Sequence, residues 1–575
     1  MAQSNKSRRA GPEFRVFFSL AEPEVSAIWP FRVFIVPDDE NSTSDKFRTR
    51  VAVHVGLPGD LSYFQFPARL GFLTSESGSV SDIRNIEDAL RQIDDPTGLL
   101  EDDHSNQFFT MLPSISDYRR LVQVIGPETA SDLLLTINDI VAIQELRPDP
   151  EMLRLVTGTS LFQRSFVRSS EAFFAYRNAG PVIRGIGSEA FDRMPNELQL
   201  SFQLAGRPNR HRLQFRFDHK DGLLPKRIAV VIGKNGVGKS QALGQIVRAA
   251  LSGDEVSLHE GATRGRVSVN RILAFAPTSE WASVFPAERK KDPKIWYKRF
   301  ALNRAWRART RNGIADMVLQ LARLDEDSYG FVGTRSRWDI FLTAIQAIAN
   351  WEQIALERIN GDEDPIPIVT LPSIVEQASS LISQGDVGDV ALGTLWSIDS
   401  TREPVRLVGD LTYPLSSGEI SFVRFAVLAS LYIDNGSLLL FDEPETHLHP
   451  NFISRFVSLL NSMLSTTGSA AIIATHSAYF VREVFREQVT VLRTDDSNYV
   501  STESIRLQTF GADVGAISYF VFGEDEPSAV AADVERRLLT AYDNWPALFE
   551  RYKDELSHEM LGALRFALDA RSKDE

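Results

Sequence analysis

Residues 227–240 read Arg-Ile-Ala-Val-Val-Ile-Gly-Lys-Asn-Gly-Val-Gly-Lys-Ser. An apolar, β-branched run ends at Gly233, and the helix-forming stretch QALGQIVRAAL follows Ser240. The order strand, G-x-x-x-x-G-K-S, helix is the context in which a glycine-rich loop cradles phosphates. Gly233, Gly236 and Gly238 let the backbone curl so that successive N–H groups, with those of Asn235, Val237 and Gln241, face phosphate oxygens. Lys239 reaches the β- and γ-phosphates, and the Ser240 hydroxyl is placed for Mg²⁺.

Two further segments belong with this loop. Residues 437–450 read SLLLFDEPETHLHP. A short buried strand there delivers Asp442 and Glu443 to the carboxyl edge of a parallel sheet, where nucleotides bind. Asp442 is placed to hold Mg²⁺ and Glu443 to polarise the attacking water. A third apolar strand, AAIIAT (470–475), ends at His476, which is placed to contact the γ-phosphate and orient that water. The pair His447 and His449 lacks a third ligand for zinc and is expected in the turn after Glu443, at a protomer interface.

The stretch LSSGE (415–419) precedes the apolar run ISFVRFAVLASLYI. On its residues alone it reads as a helix start, with a capping serine and Glu419 in the first turn. The order phosphate loop, LSSGE, Asp-Glu, His resembles that of the ATP-binding cassette (ABC) ATPases, whose signature is LSGGQ, or LSGGE in the SMC-like branch. Ser417 replaces the first glycine of that pattern. The resemblance spans roughly 195–280 and 405–520. It implies ATP and Mg²⁺ as cofactors and ATP hydrolysis. It also implies that Ser416, Ser417, Gly418 and Glu419 of one protomer close on ATP held by another, giving a homodimer or higher oligomer. No glutamine stands where RILAFAPTSEW (271–281) ends, so the Mg²⁺-sensing residue of the family is unassigned.

The remaining chain sets the domain expectations. The fold class is α/β: an ABC-type core with a β-rich N-terminal region and a helical insertion. Residues 1–13 form a disordered basic tail, and 14–194 an accessory region, β-rich then helical. The ATPase lobes are 195–281 and 405–520, with a helical insertion at 282–404 and C-terminal helices at 521–575. The pair LQLSFQLA and HRLQFRFD (198–218) reads as a hairpin leading into the phosphate-loop strand.

Composition narrows the partners. The 575-residue chain has no cysteine, which excludes disulfides, thiolate metal sites and cysteine nucleophiles, and it fits a cytoplasmic location. No run approaches the ~18 apolar residues of a membrane span. With a net charge of −14, nucleic acid must be met by a local patch. The candidate is RKKDPKIWYKRFALNRAWRARTR (289–311), with ten Lys/Arg against Asp292. There Arg304, Arg307 and Arg311 fall on one helix face, and Lys298 and Arg299 precede them among aromatics.

With no membrane segment the chain resembles the soluble branch, the SMC-, RecF- and OLD-like ATPases, and FDEPETHLHP with ATHS is similar to ATPases of Septu- and retron-type anti-phage systems. That implies a switch protein controlling a separate effector, a nuclease, in anti-phage defence. The alternative is a DNA-maintenance ATPase that senses DNA through its own basic patch.

Overall fold

A computed structural model describes residues 14–23, 30–38, 47–57, 63–73, 80–81, 99–102, 108–185, 195–204, 206–217, 226–261, 266–277, 284–288, 293–302, 313–324, 331–332, 335–346, 348–359, 368–374, 398–399, 402–448, 450–522 and 529–574. The expected basic tail 1–13 and the residues Arg304, Arg307, Arg311 and His449 lie outside this set. The chain divides into two compact units, Met1–Phe510 and Gly511–Glu575.

The heart of the first unit is a seven-stranded sheet. Its order is Trp296–Ala301, Arg271–Ala276, Ser437–Asp442, Ala470–Thr475, Ile228–Gly233, Val489–Thr494, Val500–Ser504. All neighbours are parallel except the last pair. The three central strands, IAVVIG, SLLLFD and AAIIAT, are buried at every position. That is the pattern of strands covered on both faces, and it explains their continuous apolar character. The helix Lys239–Ser252 packs on this sheet, and it lies so close to the segment 284–288 that a side chain at Gly244 would strike the Val284 carbonyl. A three-stranded antiparallel sheet, ordered Leu258–Glu260, Glu197–Gln203, Arg210–Arg216, shares the same apolar core.

The N-terminal region forms a second seven-stranded sheet from strands between Arg15 and Met111. The helices from Ile115 to Ile183 complete its core. Those helices meet the core of the main and three-stranded sheets through charged and backbone contacts. Arg266 donates to the Val167 and Arg168 carbonyls at 2.6 and 3.0 Å, Arg177 pairs with Glu260 at 3.3 Å, and Phe174 fills the space that a side chain at Gly436 would need.

Two expectations need correction. The segment 282–404 is not simply a helical insertion. Its first described strand, Trp296–Ala301, joins the main sheet as an edge strand beside Arg271–Ala276. After the helices Ile314–Leu324 and Arg337–Ile345, the strands Ile354–Glu357 and Ile368–Thr370 pair into a four-stranded sheet with Val405–Val408 and Leu411–Pro414. Trp296, Tyr297 and Phe300 are aromatic residues that suit a strand, and they sit in one here. Lys298 and Arg299 are therefore on a strand. Arg299 donates to the Phe285 and Pro286 carbonyls at 2.6 and 2.9 Å, and the Lys298 ammonium lies 3.6 Å from the Tyr432 ring centroid. Both cations have internal partners.

The second unit contains the helices Val514–Phe522, Ala529–Ala541, Trp545–Tyr552 and His558–Asp574, with a small leucine core formed by Leu538, Leu548, Leu561, Leu564 and Leu568. Among the described residues no helix is long and apolar enough to cross a membrane.

Candidate functional site

Parallel strands all present their carboxyl ends at one edge of a sheet. Gly233, Asp442 and Thr475 end three adjacent strands here, so the loop after each meets the others.

The loop Gly233–Ser240 takes the shape its glycines permit. Gly236 and Gly238 have φ of 80° and 101°, in the left-handed region that side chains disfavour. A side chain at Gly233 would run into the Leu492 carbonyl. Gly238 is also the N-cap of the helix Lys239–Ser252 and offers no side-chain acceptor, so the first N–H groups of that helix are left for an anion. Lys239 is buried, and its ammonium donates to the Gly233 and Lys234 carbonyls at 2.9 and 3.2 Å. Burial lowers its pKa, and the nearby carboxylates of Glu443, Glu445 and Asp442 partly offset this. From the hairpin turn, Arg207 donates to the Gly236 carbonyl at 2.8 Å and braces the loop from outside.

Asp442 is 8% exposed. Burial pushes its carboxyl up to about 6, and Glu443 and Glu445 push the same way, while the Ser240 hydroxyl and Lys239 act in opposition. Its Oδ1 is buried with no hydrogen-bond partner among the described residues. A buried, under-neutralised carboxylate beside a serine hydroxyl is a hard-oxygen donor set of the kind Mg²⁺ takes. Ser240 and Asp442 therefore fit that ion. Among the described residues no cluster of three or more His, Asp or Glu forms a separate metal site.

Glu443 sits in the left-handed region at φ 43°, an uncommon conformation for a residue with a side chain. Its N–H donates to the Ala474 carbonyl at 2.8 Å, which ties the turn to the neighbouring strand. Its carboxylate remains one-third exposed, and Oε1 lies 3.8 Å from His476 Nδ1. The residue that the motif reading missed is Glu445. Its Oε1 accepts from the Thr475 hydroxyl at 2.5 Å and from the His476 N–H at 2.8 Å, and lies 3.1 Å from His476 Nδ1. The signal was present as the third acid of DEPE. Glu445 orients the imidazole through Nδ1 and leaves Nε2 as the nitrogen free to face a ligand.

In the segment 415–419, Ser416 and Glu419 make their hydrogen bonds with each other and with Arg406, and Leu415 is buried. Ser416 caps the helix Ser417–Tyr432 in a capping box: its hydroxyl accepts from the Glu419 N–H at 3.3 Å, and Glu419 accepts from the Ser416 N–H at 2.9 Å. Arg406 pairs with Glu419 at 2.5 Å. Burial raises the Glu419 carboxyl, but Ser416 and Arg406 outweigh it and hold it below its usual value. Ser416 and Ser417 are exposed and Gly418 is half-buried. The helix-start reading of LSSGE is thus physically realised, with the Glu419 carboxylate seated at the helix N-terminus.

A family model described as "AAA domain, putative AbiEii toxin, Type IV TA system" matches residues 385–482, which include Ser416, Asp442, Glu443 and His476. Protein ea59 of Escherichia phage lambda is 24% identical over 413 residues, covering 67% of this chain and 70% of that protein. Among solved structures, the SMC head domain from Thermotoga maritima aligns at 11% identity and a TM-score of 0.25, covering 55% of this chain and 100% of that one. UvrA2 from Deinococcus radiodurans aligns at 14% identity and a TM-score of 0.25, covering 57% and 40%. At such scores the architecture is read from the sheet itself: a mostly parallel α/β sheet with a glycine-rich loop between a central strand and a helix.

Proposed function

We propose that this chain binds and hydrolyses ATP, and that ATP joins two copies into a switch that controls a separate effector. The observation that carries the reading is Asp442. It is a buried carboxylate with an unpartnered oxygen, set between Ser240, Lys239 and Glu443 at the edge where three strands end. Such under-neutralised charge is costly in the absence of a cationic ligand and marks a functional site.

In this reading the loop N–H groups and Lys239 hold the β- and γ-phosphates. Mg²⁺, held by Ser240 and Asp442, would neutralise phosphate charge. Glu443 accepts a proton from the attacking water, His476 orients that water through Nε2, and Glu445 fixes the imidazole. The products are ADP and phosphate. The exposed segment Ser416–Glu419 makes its hydrogen bonds within itself and to Arg406, so its natural phosphate partner is the ATP of a second copy. The matched family's description, a toxin of a Type IV toxin–antitoxin system, is compatible with a role in defence, and the nuclease as effector class rests on the sequence resemblance alone.

The test is Glu443→Gln in the full chain. Loss of a general base typically lowers turnover by roughly 10²–10⁴. ATP binding is expected to persist, and the variant is expected to sediment as a stable dimer with ATP and Mg²⁺ and as smaller species without them. Wild-type turnover in this variant would remove Glu443 from its role. A monomer under all nucleotide conditions would remove the ATP-joined dimer.

A further inference from the structure

We propose that a basic groove on the outer face of the antiparallel sheet binds the phosphate backbone of duplex nucleic acid. The strand Arg210–Arg216 alternates strictly between exposed and buried positions. His211, Leu213 and Phe215 enter the core, so Arg210, Arg212 and Arg216 stand together on the outer face. They line one wall of a cavity of about 1070 Å³. Arg486 and Arg506 line it from the main-sheet side. Val489 and Thr490, the first residues of their strand, also line it, so the groove extends toward the sheet edge opposite the phosphate loop.

Two acids, Glu487 and Glu503, line the same groove, and each has its own cation. Glu487 pairs with Arg486 at 3.0 Å and Glu503 with Arg493 at 2.9 Å. That leaves Arg210, Arg212, Arg216 and Arg506 as the net charge of the groove. Asp254 offsets Arg210 in part. Neither Arg212 nor Arg506 has a side-chain partner among the described residues. Such a concentration of positive charge in a chain of net charge −14 is not accounted for by fold stability.

The chemistry of the lining selects the occupant. A polyanion is required. No Phe, Tyr or Trp lines the groove, and the one imidazole in its lining, His259, is buried and bonded to the Gly261 carbonyl at 3.1 Å, so there is no exposed platform for stacking unpaired bases, as single-strand binders use. Alternate residues of a strand are roughly 7 Å apart, which presents a row of charges to a continuous backbone. Duplex nucleic acid carries one charge per ~1.7 Å of axis and is bound through such arginines without base readout. The sequence-based patch at 289–311 pointed to the same ligand class. The groove is a different surface, with described and solvent-facing cations.

The test combines Arg212→Gln, Arg216→Gln and Arg506→Gln in the full chain, with the three corresponding Lys substitutions as a second variant. Binding of a fluorescein-labelled random-sequence DNA duplex is followed by anisotropy across a salt series, and ATP binding is measured as a check on folding. The Gln variant is expected to bind ATP normally. Its log K against log salt slope should be shallower by about 0.9 for each arginine removed from a phosphate. At ~0.1 M salt this is a loss of up to roughly eightfold per arginine. The Lys variant should keep the wild-type slope. An unchanged slope in the Gln variant, or no duplex binding by the wild-type chain at low salt, overturns the proposal. Tighter binding of single strands than of duplex, or displacement of duplex by an equal charge of polyglutamate, overturns it in favour of another occupant.

Discussion

Asp434 and Asp442 flank one strand, Ser437–Asp442, and both are buried, yet their surroundings treat charge in opposite ways. Burial raises the Asp434 carboxyl, but Arg271, Arg119 and Arg337 outweigh it and hold the group below its ordinary value. Arg271 and Arg119 lie 3.0 and 3.7 Å from it. Arg337 is itself anchored on the Ser430 carbonyl at 2.9 Å. At the other end, Asp442 has only Ser240 and Lys239 against the combined push of burial, Glu443 and Glu445. One sheet edge is a closed ionic joint. It fastens the N-terminal helices, the helix Arg337–Ile345 and the end of the helix Ser417–Tyr432 to the core. The other edge is left short of positive charge. Burial alone does not distinguish a structural aspartate from a working one; the balance of partners does.

The comparison is broken most forcefully at the joint. Asp434→Asn keeps the volume but leaves buried arginines without their counter-charge. Removing one partner of a buried ionic cluster costs about 3–5 kcal/mol. Urea unfolding should show a loss of that size. A change under ~1 kcal/mol, the value of an exposed pair, would mean that the joint is not electrostatically closed.

Asp442→Asn should act in the opposite direction. The folded carboxyl titrates at about 6 against an ordinary 3.8, so the folded state binds the proton more tightly than the unfolded one. Wild-type stability from this group is therefore full below about pH 4 and is lost as pH rises through about 6. A shift of that size corresponds to about 3 kcal/mol. Asparagine does not titrate. In the presence of a chelator, the stability of the variant relative to wild type should climb by about that amount across this window and level off above it. A flat difference would show that Asp442 is already neutralised in the folded chain.

The two edges also differ in how far the sequence disclosed them. The edge where Gly233 and Asp442 end their strands was legible as a proposed site because the chemistry read for it demands particular residue types at fixed spacing: glycines at 233, 236 and 238, then Lys239, Ser240, Asp442 and Glu443. The joint was not, because Arg119, Arg271, Arg337 and Asp434 are far apart in the chain and carry no spacing rule. Their association is a product of tertiary packing. Glu445 falls between these cases. It sits inside a motif, but its role depends on the end of the neighbouring strand, where Thr475 and His476 present their donors. The run 289–311 is legible only in part: Trp296–Ala301 pairs in register with Arg271–Ala276, while Arg304, Arg307 and Arg311, whose spacing suggests one helix face, lie outside the described residues.

Ser416 offers the smallest effect and the finest discrimination, because it caps a helix whose other end lies at the joint. As an N-cap it contributes about 1 kcal/mol, so Ser416→Ala should lower stability by roughly that amount and Ser416→Thr by less. Glu419 would retain its pair with Arg406, which limits the loss. If Ser416 acts only as a cap, ATP-dependent association in the Glu443→Gln background should fall no further in the alanine variant than this small destabilisation explains. If its hydroxyl also reaches the phosphate of a second copy, association should fail in Ser416→Ala while ATP binding to the single chain is unchanged. Sedimentation with ATP and Mg²⁺, set beside urea unfolding of the same variants, separates the two roles. The Asp434→Asn variant is the necessary comparison. It loosens the far end of the same helix without touching Ser416, so a loss of association there, at matched stability, would show that the helix must be held at both ends to present its N-terminus.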